Sequence, residues 1–488
     1  MLFDDNRLLF FDRRHIESAE NVTLTLDPPV KKGPCLVIDR DWEMSGTHAY
    51  CVVQWEGQYR MYCKATLDDG RVLGAVAVSD DGIKWEKPEL GRVEFRGSKA
   101  NNLFELDGHQ PGEIAVFVDP TGPDKHRFKM ICHNQAEGGM YMMTSPDGLG
   151  FKRAPGHLLN FICDNNNSSF YDPRIGKYVI YLRGWNRSGG PPPVYARRSV
   201  VRAETDDLFK PLPYDKDAPD PWHVSPKWTD IVDGGLRRIN KELPSVLQCD
   251  ELDPIEGSFY QGAVVQYLPE AYLAFPSFYY SYPYPPEGRF INDGVLDIQF
   301  ASSRDGIEWS RELRGSYVRL DLPDGPCTKL MHMLTGMACS GFRISQYYYG
   351  GRRTHGEGRV TKDTKVERRP PQMQDPIVHR LEQRLDGFVS ADSAYTGGVL
   401  VTKPFRIESR TIRLNIDTSA SGVARAALLD ADGSAIPGLT LEDSDRIQGN
   451  DTQYELSWKG SSDVSFLMGK DVKLVLQSRS AKLFAVYP

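Results

Sequence analysis

The chain has 488 residues, of which 40% are hydrophobic and 26% are charged. This length and composition predict a globular protein of two or three domains. The formal net charge is −7, so the charge balance predicts no nucleic-acid partner. The sequence contains no run of 18 apolar residues, so it predicts no membrane span. Nothing in the sequence indicates the oligomeric state.

The N-terminal segment, MLFDDNRLLFFDRRH, contains Asp4 and Asp5 and lacks the apolar stretch of a secretory signal. As it stands, the sequence predicts a cytoplasmic protein, and a leader removed ahead of it would make the protein secreted or periplasmic. The eight cysteines form no CxxC pair. They predict buried thiols in a reducing compartment rather than a zinc site.

In chain order, residues 1–40 are expected to form an extended arm that packs on the next domain. From residue 41 to 392, short apolar runs bounded by Gly, Pro, Asn and Asp predict strands. The clearest are YCVVQW, YRMYCKA, VLGAVAVS, IAVFVDP, RFKMICHN, MYMMTS, KYVIYLRG, GAVVQYLP and LDIQFASS. They form sets of three strands, each leading to an outer fourth strand. Such repetition predicts an all-β protein with a five-bladed β-propeller, or six blades if residues 215–250 contain another.

One turn sequence closes several of these sets. It reads SDDGIKW at Ser79, SPDGLGF at Ser145 and SRDGIEW at Ser303, with a degenerate copy, TDDLFKP, at Thr205. Asp and Gly suit a tight turn between the third and fourth strands, because Gly accepts positive φ and Asp caps backbone N–H groups. The aromatic residue that follows is expected to pack between neighbouring blades. We therefore interpret the repeat as architectural rather than catalytic.

The last part of the chain has a different texture. Residues 393–488 are short alternating strands, such as TIRLNID, VARAALLD and VKLVLQS. About 95 residues of this pattern predict a β-sandwich domain behind the propeller.

Blades closed by SxDGxxW, a FYDP segment that opens a blade, and a strand-rich C-terminal domain resemble the five-bladed propeller glycoside hydrolases. These are the invertase-like and arabinanase-like families 32, 43, 62 and 68, and the chain looks most like a divergent invertase-like member. The resemblance implies a glycosidase that cleaves a furanoside-type bond in an oligo- or polysaccharide with paired carboxylates in the funnel. The WMNDPNG, Arg-Asp-Pro and Glu-Cys motifs of invertases are absent, so fructosidase specificity is not implied.

Enzymes of this group place their reacting groups on the innermost strand of a blade or in the loop before it. Glycosidic cleavage needs one protonated carboxyl group and one base or nucleophile. The loops before the blades offer Glu43 as nucleophile or base, Asp164 as an orienting acid and Glu256 as the general acid. Neighbouring carboxylates would raise the pKa of such an acid.

Other polar and aromatic residues near the blade entries are candidates for binding sugar hydroxyls or stacking on sugar rings. They are Trp42, His48, Asn166, Arg183, Tyr260 and His355. No cofactor is expected. Some propeller glycosidases hold a structural Ca²⁺ in the central channel, but no metal-loop spacing predicts one here.

Two alternatives to a furanosidase remain open at this stage. The first is a non-catalytic carbohydrate-binding propeller that uses the same funnel. The second is a sialidase-like glycosidase, which needs an arginine triad and a tyrosine nucleophile. The sequence offers Arg183, Arg343 and Arg353 for the triad.

Overall fold

A computed structural model describes residues 2–3, 6–133, 139–159, 162–164, 167–186, 197–213, 243–282, 293–357 and 371–488. Within these ranges the regular elements are strands, apart from short 3₁₀ turns at Asp41–Glu43, Asp124–His126 and Ser465–Leu467. The prediction of an all-β protein is confirmed. No helix in the described ranges has the length and apolar character needed to cross a membrane.

The chain divides into two compact units. Unit 1 comprises residues 1–2, 30–340 and 344–382, and unit 2 comprises residues 3–29, 341–343 and 383–488. The first four strands are shared between them: β1 (Leu8–Leu9), β2 (Ile16–Glu20), β3 (Val22–Leu26) and β4 (Val30–Val37). The prediction of an extended arm over residues 1–40 is therefore wrong. Strands β1–β3 pair with strands of unit 2, and β4 pairs with a strand of unit 1.

Unit 1 begins with three antiparallel four-stranded sheets, each built from consecutive strands. Sheet 1 contains β5 (Thr47–Trp55), β6 (Gln58–Thr66), β7 (Val72–Ser79) and β8 (Leu103–Phe104). Sheet 2 contains β9 (Ile114–Val118), β10 (Phe128–His133), β11 (Met140–Ser145) and β12 (Lys152–Arg153). Sheet 3 contains β13 (Ser168–Asp172), β14 (Lys177–Asn186), β15 (Arg197–Thr205) and β16 (Ser245–Leu247).

The fourth set contains eight short strands, which form two four-stranded sheets. Each of its four strand positions is divided between two short strands that follow one another in the chain, one in each sheet. Its first two positions are β17 (Gly257–Gln261) with β18 (Val264–Leu268), and β19 (Ala271–Ala274) with β20 (Ser277–Ser281). Its last two are β21 (Gly294–Gln299) with β22 (Ala301–Ser303), and β23 (Trp309–Ser310) with β24 (Ser316–Val318). We call this pair sheet 4.

Sheet 5 combines the two ends of unit 1. It contains β25 (Leu330–Met333), β26 (Ala338–Ser340), β27 (Arg343–Gly351) and β28 (Pro376–Arg384), and β4 pairs with β28 as its outer strand. Sheet 5 also touches sheet 1, since Val52 donates to the Thr335 carbonyl at 2.8 Å and Thr335 donates to the Tyr50 carbonyl at 3.1 Å.

Unit 2 is one ten-stranded sheet whose remaining strands come from the end of the chain. These are β29 (Val389–Ser393), β30 (Gly398–Thr402), β31 (Phe405–Arg406), β32 (Arg413–Asp430), β33 (Ile447–Glu455), β34 (Asp471–Arg479) and β35 (Ala481–Tyr487). The sheet is continuous because the 18-residue strand β32 pairs with β35 through its first part and with β34 through its second. The predicted sandwich of residues 393–488 is therefore not confirmed.

Each of the repeated turns contacts a tyrosine of a neighbouring sheet in unit 1. In each clear copy the Ser hydroxyl accepts the glycine N–H, at 2.8–2.9 Å, and the Asp directly before the glycine accepts one or two of the N–H groups that follow. The glycines have φ of +69°, +74° and +76°. A Cβ on any of them would collide with a tyrosine hydroxyl of a neighbouring sheet, on Tyr347, Tyr62 and Tyr181 in turn.

The aromatic residue after each turn stacks edge-on against the same tyrosine. The pairs are Trp85 with Tyr347, Phe151 with Tyr62, and Trp309 with Tyr181, with ring centres 5.4–6.3 Å apart. The prediction that these aromatics pack between neighbouring sets of strands is confirmed.

A cavity of about 290 Å³ is lined by the first strands of sheets 1 to 4 and by the segment between β25 and β26 of sheet 5. Its lining includes residues 52–54, 115–118, 168–170, 264–266 and 335–337. Segments of all five sheets therefore meet around one cavity.

Candidate active site

A group of charged, histidine and tyrosine side chains lies where the first strands of unit 1 begin. We call it the polar cluster. Its members are Tyr50, Lys64, Glu113, His133, Asp164, Arg183, Arg198, Tyr260, Tyr279, His332, Tyr349 and His355. All five sheets, or the loops leading into them, contribute to it.

Glu113 immediately precedes β9, the first strand of sheet 2. Its Oε2 atom is buried and has no hydrogen-bond partner among the described residues. Burial and then the negative charge of Asp164 raise the pKa of Glu113 to about 8, against the opposite effect of Arg183 and Lys64. The carboxyl group is therefore protonated near neutral pH.

Asp164 is held by Arg183. The Nη1 group of Arg183 forms an ion pair with Oδ2 of Asp164, and its Nε and Nη2 groups donate to the Tyr260 carbonyl at 3.1 and 3.0 Å. The guanidinium carbon also lies 4.0 Å from the centre of the Tyr260 ring. Because Arg183 is fixed at several points, its ion pair keeps the Asp164 carboxylate in place.

The neighbours of Glu113 come from the second strands of sheets 1 and 2. Lys64 of β6 donates to the Gly112 carbonyl, and burial lowers its pKa. His133 of β10 is buried, and neither ring nitrogen has a hydrogen-bond partner among the described residues. Burial lowers the pKa of His133 to about 4, so the ring is neutral. A Cβ at position 112 would overlap this ring, which explains the glycine before Glu113.

The opposite side of the cluster is aromatic. The Tyr260 hydroxyl and Nε2 of His355 are 2.8 Å apart, and the His332 ring stacks on Tyr349 with centres 4.8 Å apart. Burial lowers the pKa of His332 to about 3, and its Nδ1 has no partner among the described residues. This wall therefore combines flat ring surfaces with a buried polar atom that a ligand hydroxyl would satisfy.

The structure brings four of the nine sequence-predicted site residues into the polar cluster: Asp164, Arg183, Tyr260 and His355. His48 lies at its edge, exposed, with its ring centre 6.3 Å from that of Tyr349. Asn166 lies outside the described residues.

Glu43 and Trp42 belong instead to the packing beside sheet 1. Glu43 is buried, forms an ion pair with Lys87 at 2.6 Å and accepts the backbone N–H groups of Asp39 and Arg40. The Trp42 indole donates to Asn102 at 2.9 Å. The catalytic role of Glu43 stays a prediction, and the structure places its carboxylate in an ion pair with a buried cation and as a cap on a 3₁₀ turn.

Glu256 stands directly before β17, the position from which it was predicted to be the general acid. Its backbone carbonyl accepts the Ser281 N–H at 3.2 Å. No side-chain hydrogen bond or ion pair connects it with Glu113 or Asp164 within the described ranges.

Sequence reasoning overlooked Glu113, Lys64, His133, Arg198, His332 and Tyr349. For Glu113 a signal was present, since it stands directly before the apolar run IAVFV, the first strand of its set. The same rule that selected Glu256 would have selected it. For the side chains on second and third strands, the sequence contains no comparable signal, because their approach to Glu113 depends on how the sheets pack.

No group of three or more His, Cys, Asp and Glu side chains suited to a metal ion occurs in the part of the chain that the structure describes. Ser168, Gln54 and Gln266 line the cavity among the first strands, but they form no set of carboxylate ligands of the kind that Ca²⁺ takes.

The chain matches no protein-family model and no curated protein. It is similar to an N-acetylgalactosamine deacetylase from F. plautii in complex with blood group B trisaccharide (12% identity, TM-score 0.42, 75% of this chain and 96% of the other). It is also similar to a glycosyl hydrolase from Bacteroides ovatus (14% identity, TM-score 0.38, 77% of this chain and 100% of the other). A third similar structure is a family 32 β-fructofuranosidase from Bombyx mori (9% identity, TM-score 0.36, 91% of this chain and 94% of the other).

Proposed function

We propose that unit 1 is a five-bladed β-propeller and that the protein is a glycoside hydrolase with its active site at the polar cluster. The five sheets with their first strands around one cavity support the propeller, and the outer strand supplied by β4 would close the ring. The observation that carries the function is the buried Oε2 atom of Glu113, which has no hydrogen-bond partner among the described residues, near the Asp164 carboxylate that pairs with Arg183.

The proposed chemistry uses these two carboxyl groups in different protonation states. Glu113, with its pKa raised to about 8, donates its proton to the glycosidic oxygen as the bond to the anomeric carbon breaks. Asp164 either attacks the anomeric carbon or removes a proton from the water that attacks it. The electron pair of the broken bond stays on the leaving oxygen, which the proton from Glu113 neutralises.

The remaining cluster residues would bind and orient the sugar. Arg183 positions Asp164 through their ion pair. His133 and His332 are neutral and have buried ring nitrogens that can accept or donate a hydrogen bond to hydroxyl groups. The rings of Tyr260 and Tyr349 offer flat apolar surfaces for a sugar face.

A screen on aryl furanosides, aryl pyranosides and natural oligosaccharides tests this proposal. We expect Glu113→Gln and Asp164→Asn each to lower kcat/KM at least about 10²-fold, whereas Glu256→Gln should retain activity. The anomeric configuration of the first product distinguishes the two roles of Asp164. The furanoside preference stays a prediction that the same screen decides.

The proposal fails if Glu113→Gln keeps full activity on a turned-over glycan. Tight sugar binding without turnover across the screen would instead favour the non-catalytic binding propeller. A sialidase-like triad of Arg183, Arg343 and Arg353 is not favoured, because Arg343 and Arg353 are both exposed.

A further inference from the structure

A groove of about 670 Å³ runs along the outer strands of sheets 3 and 4, β16 and β23. We call it the outer groove, and its lining includes Leu247, Asp250, Leu252, Trp309, Glu312 and Arg314. None of the described residues that line it belongs to the polar cluster. We propose that the outer groove binds additional sugar units of the substrate, so that the substrate is a neutral polysaccharide chain. This inference rests on the proposed glycosidase function and specifies its substrate class.

The register of sheet 3 places the outer groove near the polar cluster. Arg183 of the cluster is paired with Val200 of β15, and Val200 is paired with Leu247 of the groove. Leu247 is therefore two strands away from Arg183, or about 10 Å at the usual strand spacing. Because β16 runs antiparallel to β15, the residues after Leu247 extend towards the end of the sheet at which Arg198 of the cluster lies. A chain of several sugar units can therefore occupy both sites.

Trp309 and Leu252 give the outer groove apolar surface. The indole N–H of the half-buried Trp309 donates to the Gly306 carbonyl at 3.2 Å, and the ring packs edge-on against Tyr181. Since the polar atom of this side chain is bonded within the protein, the ring offers carbon surface to a ligand. A sugar ring presents a face of C–H groups that packs on a flat aromatic surface. Leu252, which is 73% exposed, adds apolar area at the same groove.

The polar side chains of the outer groove hold one another in place. Arg311, which also lines it, donates to both oxygens of Asp253 at 2.6 and 2.7 Å, and Arg314 forms an ion pair with Asp250. The lining contains two acids, Asp250 and Glu312, and the two arginines, so its formal charges balance. A balanced, preorganised set of donors and acceptors suits the hydroxyl groups of a neutral sugar and gives no advantage to an anion or a cation.

Substrates of different length test the inference. Arabinan, inulin, xylan and galactan serve as neutral polysaccharides, and aryl glycosides of the same sugars carry only one sugar unit. Leu252→Ser combined with Glu312→Ala removes two exposed side chains of the groove. We expect this double variant to lower kcat/KM at least about tenfold on the polysaccharide that is cleaved, because binding energy away from the cleaved bond is lost. Its kcat/KM on the matching aryl glycoside should stay unchanged.

Binding is measured separately by electrophoresis in gels that contain the same polysaccharides. The Glu113→Gln protein is used so that the chain is not consumed, and the two groove substitutions should reduce its retardation. Leu322→Ser combined with Glu308→Ala is the matched control. Leu322 is 78% exposed, Glu308 is also exposed, and neither lines the groove, so retardation and kcat/KM should stay unchanged. Thermal unfolding establishes that each variant is folded.

The outcomes separate this inference from the proposed function. Turnover that depends on Glu113, with groove variants that affect polysaccharide and aryl glycoside equally or not at all, overturns the outer groove and leaves the glycosidase intact. Retardation that depends on the groove, without turnover of any glycan, overturns the glycosidase and leaves the groove as a binding site. Stronger groove-dependent retardation by polygalacturonate than by every neutral polysaccharide overturns the assignment to a neutral chain.

Discussion

The protonation of Glu113 has a measurable consequence for folding stability. Its pKa is raised from 4.5 to about 8 in the folded chain. Between these values the folded state holds a proton that the unfolded state has lost. The stability associated with this proton is fully present below about pH 4.5 and is lost as the pH rises through about 8. The Glu113→Gln variant carries no ionisable group at this position and is free of the effect.

The expected difference follows from linkage. Relative to Glu113→Gln, the free energy of unfolding of the original chain should fall by up to about 1.4 kcal/mol for each pH unit in that interval, or about 5 kcal/mol in all. Above about pH 8 the difference should become constant. Groups that titrate independently of Glu113 cancel, because they are the same in both proteins.

Urea unfolding of both proteins, at one-unit steps from about pH 5 to about pH 9, measures this difference. Glu256→Gln serves as the matched control, since its side chain has no hydrogen bond or ion pair within the described residues, and its curve should run parallel to that of the original chain. Parallel curves for Glu113→Gln would refute the reasoning. In the same preparations, hydrolysis by the original chain should decline as Glu113 ionises near pH 8.

Further predictions concern the ion pair of Glu43 and the turn at Gly82. Lys87→Met should cost about 3–5 kcal/mol of unfolding free energy in urea, because it leaves the buried Glu43 carboxylate without its cation. Activity per folded molecule should stay unchanged, and its loss would place Glu43 back in the site. Tyr347→Phe should cost about 1 kcal/mol, since the hydroxyl donates to the Gly82 carbonyl at 2.6 Å. Gly82→Ala should cost more, about 2–4 kcal/mol, through its φ of +69° and the overlap with Tyr347; equal effects in thermal unfolding would contradict this.

The strands and turns of unit 1 could be predicted because their signals are local. A Ser-x-Asp-Gly sequence satisfies its own backbone N–H groups, so Ser79, Ser145 and Ser303 mark the ends of third strands wherever they occur. The pairing of β4 with β28 could not be predicted, because it joins residues about 350 positions apart in the chain. The course of β1–β3 into unit 2 depends on equally distant pairings.

The site was predicted in part for the same reason. The loop before a first strand is a local feature, and it led to Asp164 as well as to Glu43 and Glu256. What it could not predict is the partner of each carboxylate. Lys87 reaches Glu43 across 44 residues of sequence, and Arg183 reaches Asp164 from the far end of β14. Partners such as these decide whether an acid stabilises the fold or remains available for chemistry.

Two acids of unit 1, Glu43 and Glu113, are therefore distinguished by what surrounds them rather than by where they stand in the sequence. Burial raises the pKa of both Glu43 and Glu113. Glu43, however, has a buried ammonium group and two backbone N–H donors on its oxygens, whereas Oε2 of Glu113 has no partner among the described residues. Leaving a buried carboxyl oxygen unsatisfied costs stability, and Asp164 beside it adds repulsion whenever Glu113 ionises. A sugar hydroxyl or glycosidic oxygen that accepts the Glu113 proton would recover that cost, which is why this residue, and not Glu43, is the acid we expect to act on a substrate.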